Sequence, residues 1–156
     1  MDCVFCNIVN GDIPSFRVYE DEHTLVFMDI AKDVDGHMVA IPKKHVKCIL
    51  DCDVETLSHL MATVKKVSNH CIDACGYDGV NLLNASDESA GQSVPHFHIH
   101  IIPRKRGDDI DAWPTLFHIC TDTLIDDSII MVIGLLALWR HRAKKGASGI
   151  NQVLSL

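Results

Sequence analysis

The chain has 156 residues, of which 47% are hydrophobic and 22% charged, and its formal net charge is −7. This length fits one domain with its own core, and the composition is typical of a globular protein. The negative charge makes nucleic acid a poor partner in general, although a local site can still bind a small anionic nucleotide. Because the seven cysteines accompany no secretory segment, we expect free or metal-bound thiols in a reducing cytoplasm.

The first motif is a pair of cysteines, Cys3 and Cys6, with two residues between them. Alone it is a weak signal, because such a pair can be redox-active or simply pack as small buried residues. A structural zinc site needs four nitrogen or sulfur ligands. His45 and His96 are candidates for the other two.

Hydrophobic patterning predicts five strands and one long helix. The strands are predicted at residues 16–19, 24–28, 37–41, 79–84 and 93–102, the first two as a hairpin. The helix is predicted over residues 54–74, with Asp53 as its N-cap and Gly76 as its stop. Its apolar stripe, which we expect to face the core, consists of Leu57, Leu60, Met61, Val64, Val67, Cys71 and Ile72.

The most informative stretch is residues 93–102, in which three histidines alternate with apolar residues up to Pro103. Side chains two apart in a strand share a face, so His96, His98 and His100 are expected to point the same way. The apolar residues expected on the opposite face are Phe97, Ile99 and Ile101. A row of imidazoles suits proton transfer, metal binding and nucleophilic attack near neutral pH.

A surface histidine row or a tri-histidine metal site is the plainer interpretation of this stretch. However, Gly91-Gln92-Ser93 comes just before it. A small polar loop of this kind lets backbone N–H groups approach an anion. The loop therefore favours phosphate chemistry over a bare metal site.

The loop and the three histidines resemble the signature of the histidine triad (HIT) family of nucleotide-binding hydrolases and transferases. Each further matching segment is weak alone, but the ordered set is specific and runs from about residue 3 to about residue 114. The matching segments are Cys3-x-x-Cys6-x-Ile8, Val18-Tyr19-Glu20-Asp21, Phe27-x-Asp29, Gly36-His37-x-Val39-x-Ile41-Pro42-Lys43-Lys44-His45, Asn84 and Trp113.

The expected fold is α+β, an antiparallel sheet of about five strands with the long helix on one face and a short N-terminal helix. The resemblance implies a HIT-like nucleotide-binding domain over residues 1–114 and a homodimer with a continuous sheet. Residues 115–156 do not resemble the family. Their apolar run at 129–139 is too short to span a membrane. We expect a final helix packed on the same domain or on a second subunit, with a basic interfacial anchor as the alternative.

The resemblance also implies how the catalytic groups act. His98 would be the nucleophile, with its tautomer set by a hydrogen bond for which a backbone carbonyl is a suitable acceptor. His100, His37 and backbone donors near Gln92 and Ser93 would stabilise negative charge on the phosphate. Ser93 is also a candidate for passing a proton to the leaving group.

The resemblance assigns nucleotide and metal sites as well. Asp29 would accept hydrogen bonds from the ribose hydroxyls, since an ionised carboxylate only accepts and a diol supplies two donors. Phe27 and Ile30 would contribute to an apolar base pocket. The other nucleotide-binding residues would be Asn84, Gly91, Gln92 and Ser93. A structural zinc would be held by Cys3, Cys6, His45 and His96, the alternative being that no zinc binds and the cysteines pack.

The implied activity is hydrolysis at the α-phosphate of purine nucleoside phosphoramidates or acyl-nucleotides. It would proceed through a nucleotidyl-histidine intermediate and release a nucleoside monophosphate. One alternative is a hydrolase of the same fold that cleaves dinucleoside polyphosphates. Another is a nucleotide-binding or partner-binding module with little turnover, which the unusual C-terminal tail would favour.

Overall fold

The computed structural model describes residues 3–31 and 34–110. These contain one antiparallel sheet of five strands, in the order β1-β2-β3-β5-β4, and two α-helices. In chain order the elements are α1 (Val4–Asn10), β1 (Arg17–Glu20), β2 (Thr24–Met28), β3 (Met38–Pro42), α2 (Val54–Asp73), β4 (Gly79–Leu83) and β5 (Ile99–Arg104). The predicted α+β fold, with a long helix and a short N-terminal helix, is confirmed.

The fifth strand begins later than the histidine pattern predicts. His96, Phe97 and His98 precede β5, which starts at Ile99. The backbone N–H of Phe97 donates to Val46 O at 2.6 Å, so this segment is tied to the loop after β3. The alternation of faces nevertheless persists across the boundary, since Phe97 packs in the same core group as Ile99 and Ile101.

The predicted stop at Pro103 is wrong, since β5 continues to Arg104. Strand β3 pairs with β5 only at Ile99–Ile101, whereas β4 pairs with residues 100–104 of β5, with Val80 opposite Pro103. One side of β5 is therefore no longer paired with β3 at the proline. Proline is tolerated where the strand does not need its missing N–H for a ladder.

Each face of the sheet has its own group of core residues. The group packed with α2 includes Val26, Ala40, Leu60, Val64, Phe97, Ile99 and Ile101. The group packed with α1 is Ile8, Leu25, Phe27, Val39 and Ile41. Since the apolar residues of the triad segment lie on the α2 side, the histidines between them are directed towards the α1 side.

Helix α2 begins as predicted, because the Asp53 side chain accepts a hydrogen bond from Thr56 N at 2.9 Å. The predicted apolar stripe is too wide. Met61 and Ile72 are 41% and 39% exposed, since each lies about 100° around the helix from a buried neighbour. Thr63 is buried instead, and its hydroxyl is satisfied by Thr24 Oγ1 at 2.8 Å.

Among the described residues, no helix is long and apolar enough to cross a membrane. The predicted tail at 115–156, together with Trp113, lies outside the described residues. The boundary of the HIT-like domain, the homodimer and the cytoplasmic location stay predictions.

Candidate active site

A cavity of about 920 Å³ lies on the α1 side of the sheet. Its walls are mostly apolar, and two triad histidines and one carboxylate supply polar groups. The lining residues are Val4, Phe5, Ile8, Ile13, Pro14, Ser15, Phe16, Phe27, Met28, Asp29, Ile30, Val39, Ser93, Val94, His98 and His100. A concave apolar site with a few converging polar groups is the usual form of a small-molecule site.

His98 is held in a single orientation. Its Nδ1 lies 2.6 Å from His96 O, and because a carbonyl only accepts, Nδ1 must carry the proton. In the neutral form of the ring, the lone pair is therefore on the other nitrogen, Nε2. Asn84 Nδ2 donates to His98 O at 2.8 Å and fixes the backbone at this point. The tautomer required of an attacking imidazole is thus built into the segment.

His100 forms a hydrogen-bonded pair with His37, at 2.9 Å between His100 Nδ1 and His37 Nε2. His37 is buried, whereas His100 is half-buried and lines the cavity. The Oδ2 atom of Asp29 lies 3.6 Å from His37 Nε2 and 3.5 Å from His100 Nδ1. The structure thus brings His100 to two side chains, Asp29 and His37, of which His37 is 63 residues away in the sequence.

Helix α1 supplies cavity residues that the sequence analysis did not assign. The Phe5 ring packs edge-on against Phe27 and His98, with ring centroids 5.5 and 5.3 Å apart. Val4 and Ile8 also line the cavity. Their spacing with Phe5 places all three on one face of a short helix. This apolar spacing is the feature of the sequence that could have predicted a cavity wall here.

Phe27, Asp29 and Ile30, which the resemblance assigned to the nucleotide, all line the cavity. Phe27 is 5% exposed, as a floor residue should be, whereas Ile30 is 96% exposed. Ile30 therefore lies at the rim, where it has little contact with protein. These placements agree with the assignment without testing it.

Hydrogen bonds within the protein hold the loop before the histidines in place. The Gln92 side chain donates to Lys47 O at 2.7 Å and accepts from Asp87 N at 2.7 Å. The backbone N–H groups of Gly91 and Gln92 donate to Glu88 O and Asp87 O. Ser93, by contrast, is exposed and lines the cavity. Asn84, Gly91 and Gln92 do not line the cavity, and their contacts with a nucleotide stay predictions.

The four predicted metal ligands converge at the other end of the triad segment. Cys6 Sγ lies 3.2 Å from His45 Nδ1 and 3.6 Å from His96 Nδ1, and Cys3 Sγ lies 3.4 Å from His96 Nδ1. Tetrahedral zinc with ordinary Zn–S and Zn–N bonds places such atoms about 3.5 Å apart. The donor set and spacing therefore fit zinc.

His96 is also prepared as a ligand. Its Nε2 lies 2.9 Å from Pro42 O, so Nε2 carries the proton and Nδ1 is free for the metal. Burial lowers the pKa of His96, with smaller contributions from His45 and His98, and this favours the neutral ligating form. Burial and the neighbouring Cys3 raise the pKa of Cys6, so metal binding must displace its proton.

Comparison with known proteins assigns the chain to a protein family. The sequence profile of the HIT domain matches residues 10–107. The chain belongs to the histidine triad family. Among its HIT relatives, Protein hit of Bacillus subtilis is 44% identical over 116 residues, which cover 73% of this chain and 80% of that protein.

Two further HIT relatives carry named activities. The adenosine 5′-monophosphoramidase of Schizosaccharomyces pombe is 38% identical and covers 67% of this chain and 75% of its own length. The adenylylsulfatase of Arabidopsis thaliana is also 38% identical, with 74% of this chain and 58% of that protein covered. HIT proteins thus include nucleotide hydrolases.

Solved HIT structures share the fold. A HIT protein from Bacillus subtilis superposes with a TM-score of 0.68 at 36% identity, covering 88% of this chain and 96% of that chain. A zinc-bound histidine triad protein from Mycobacterium smegmatis superposes with a TM-score of 0.67 at 31% identity, covering 91% and 98%. The second structure shows that a HIT protein of this fold can bind zinc.

Proposed function

We propose that this protein is a nucleotide hydrolase that cleaves nucleoside 5′-phosphate derivatives at the α-phosphate, with purine nucleoside phosphoramidates or acyl-nucleotides as substrates. The observation that carries the proposal is the His98 ring, which is fixed by His96 O at 2.6 Å and lines the cavity beside Asp29 and His100. The named activities of the two relatives agree with a substrate that carries an adenylyl group.

In the proposed reaction, His98 Nε2 attacks the α-phosphorus, and the bond from phosphorus to the leaving group breaks. The leaving group takes a proton from solvent, which the exposed Ser93 hydroxyl at the cavity wall is suited to relay. Water then attacks the nucleotidyl-histidine, the phosphorus–nitrogen bond breaks, and the nucleoside monophosphate leaves. The fixed tautomer allows one ring nitrogen to serve as nucleophile and leaving group in turn.

Negative charge on the transferring phosphoryl group needs donors at fixed positions. His100, which lies at the cavity wall beside His98, would provide one such donor. His37 is buried and does not line the cavity, so it would act through its hydrogen bond to His100. The Asp29 carboxylate lines the same cavity and would accept from the ribose hydroxyls. The apolar wall that includes Phe5 and Phe27 would then receive the base.

We also propose that Cys3, Cys6, His45 and His96 hold a structural zinc. When bound, zinc would tie the start of α1 to the loop after β3 and to the triad segment. One zinc per chain by elemental analysis, lost in Cys6→Ser and kept in the exposed Cys75→Ser, is the expected result. Equal metal content in both variants would contradict the assignment.

A homodimer is the proposed assembly. The supporting feature is β4, an edge strand on which Leu82 and Leu83 are 43% and 38% exposed. Exposed apolar edges are unusual on monomers. Light scattering should report a dimer that Leu83→Lys weakens, whereas Leu50→Lys, at a site 78% exposed outside the sheet, leaves it intact. A wild-type monomer would refute this part.

The decisive test of the enzyme proposal is intact mass after a rapid, acid-free quench with adenosine 5′-phosphoramidate. The parent should carry an adenylate adduct and release adenosine monophosphate, His98→Ala should do neither, and the exposed surface variant His70→Ala should match the parent. Turnover by His98→Ala would refute the mechanism. Nucleotide binding with neither adduct nor product would favour the binding-module alternative, and faster cleavage of a dinucleoside polyphosphate would favour the other hydrolase.

A further inference from the structure

The Asp29 carboxylate lies against the hydrogen-bonded pair of His37 and His100 as well as against the cavity. Its Oδ2 is 3.6 Å from His37 Nε2 and 3.5 Å from His100 Nδ1, while those two nitrogens are 2.9 Å apart. Distances of 3.5–3.6 Å are long for hydrogen bonds but short enough for the carboxylate charge to act on the imidazole N–H group. The three atoms therefore form one polar cluster.

This arrangement is held from several directions. Asp29 Oδ1 accepts from Ala31 N at 2.9 Å, and Asp29 N donates to His37 O at 2.9 Å. The side chain of Asp29 is only 16% exposed. A carboxylate whose backbone and first oxygen are both fixed keeps its second oxygen beside the imidazoles, whether or not ribose is present.

We propose that Asp29 is a positioning residue for His100, in addition to the ribose contact assigned to it, an inference that rests on the proposed function. One proton lies between His37 Nε2 and His100 Nδ1. For His100 to donate to the phosphate from Nε2, this proton must belong to His37 Nε2, with His100 Nδ1 as its acceptor. The adjacent carboxylate attracts the His37 N–H group and so favours this arrangement of the two rings. The role is electrostatic, so Asp29→Asn keeps the shape and loses the effect.

Kinetics separate the positioning role from ribose binding. The measurement is the rate constant of adduct formation at saturating substrate, for adenosine 5′-phosphoramidate and for its 2′,3′-dideoxy analogue. A positioning role predicts that Asp29→Asn lowers this rate constant about 10- to 100-fold with both substrates. A role in ribose binding alone predicts that Asp29→Asn raises KM for the ribose substrate, leaves KM for the dideoxy analogue unchanged and leaves both saturating rate constants unchanged. That result would overturn the inference.

The matched control is Asp35→Asn, which removes the same charge from an exposed position close by in the chain. It should leave both rate constants unchanged. A loss in this control similar to that of Asp29→Asn would show a general charge effect and would contradict a specific contact.

A second measurement does not depend on turnover. The ring ¹⁵N NMR signals of His37 and His100 report which nitrogens carry protons. Asp29→Asn should change the tautomer pattern of these two rings, and Asp35→Asn should not. If the parent cleaves no nucleotide, the proposed function fails while this spectrum still decides the contact, and unchanged His37 and His100 signals would refute it.

Discussion

Replacing Gly36 by alanine tests how the position of His37 is maintained. Gly36 has φ +79°, and a Cβ atom there would lie 2.9 Å from the Tyr77 hydroxyl and 3.3 Å from Pro103 Cγ. The left-handed backbone alone costs an alanine about 1 kcal/mol. The crowding would also displace the Tyr77 hydroxyl, which donates to Asp35 O at 3.3 Å, and a lost hydrogen bond costs about 1 kcal/mol more.

We therefore expect Gly36→Ala to lower the free energy of unfolding by about 2–3 kcal/mol. Gly76→Ala is the matched control, because Gly76 has φ +73° but a Cβ there would meet nothing within 4 Å. The free energy of unfolding of this variant should fall only by the cost of alanine in a left-handed backbone, about 1 kcal/mol. Urea denaturation followed by circular dichroism measures both, and the midpoint should fall while the slope stays constant.

The comparison has a clear opposing result. Equal losses in Gly36→Ala and Gly76→Ala would show that contact with Tyr77 contributes nothing, and that the loop before His37 adjusts freely. If Gly36→Ala loses the expected free energy of unfolding but forms the adduct at the parent's rate, the loop does not set the position of His37.

Three further predictions concern the hairpin, the metal and the nucleophile. Burial opposes ionisation of Asp21, but hydrogen bonds, chiefly from Thr24, lower its pKa to about 2. The ionised carboxylate therefore stabilises the fold fully above the pKa of the unfolded chain, near 4, and this contribution is lost as the pH falls through about 2. The free energy of unfolding of Asp21→Asn should accordingly depend less on pH over that window. If zinc is bound, a strong chelator should lower the melting temperature of the parent and not that of His45→Ala. Asn84→Ala, which removes the donor to His98 O, should slow adduct formation about tenfold without abolishing it.

Much of the fold follows from local patterns. Strand β2 and the start of α2 coincide with the prediction, because a short run of strand-forming apolar residues and an aspartate N-cap are local signals. The width of the helical stripe is not local. Met61 and Ile72 are apolar but exposed, since the sheet covers only part of the helix, whereas Thr63 is buried because a partner hydroxyl lies opposite.

The sequence by itself determined the alternation of the triad segment, the family and the residue types at the site. Only the tertiary structure decided which of them meet. Antiparallel pairing of β2 with β3 sets Asp29 beside His37, and pairing of β3 with β5 brings His100 to both. Such contacts depend on strand register and turn geometry over as many as 71 residues, between Asp29 and His100, and no local pattern in a single chain specifies that register.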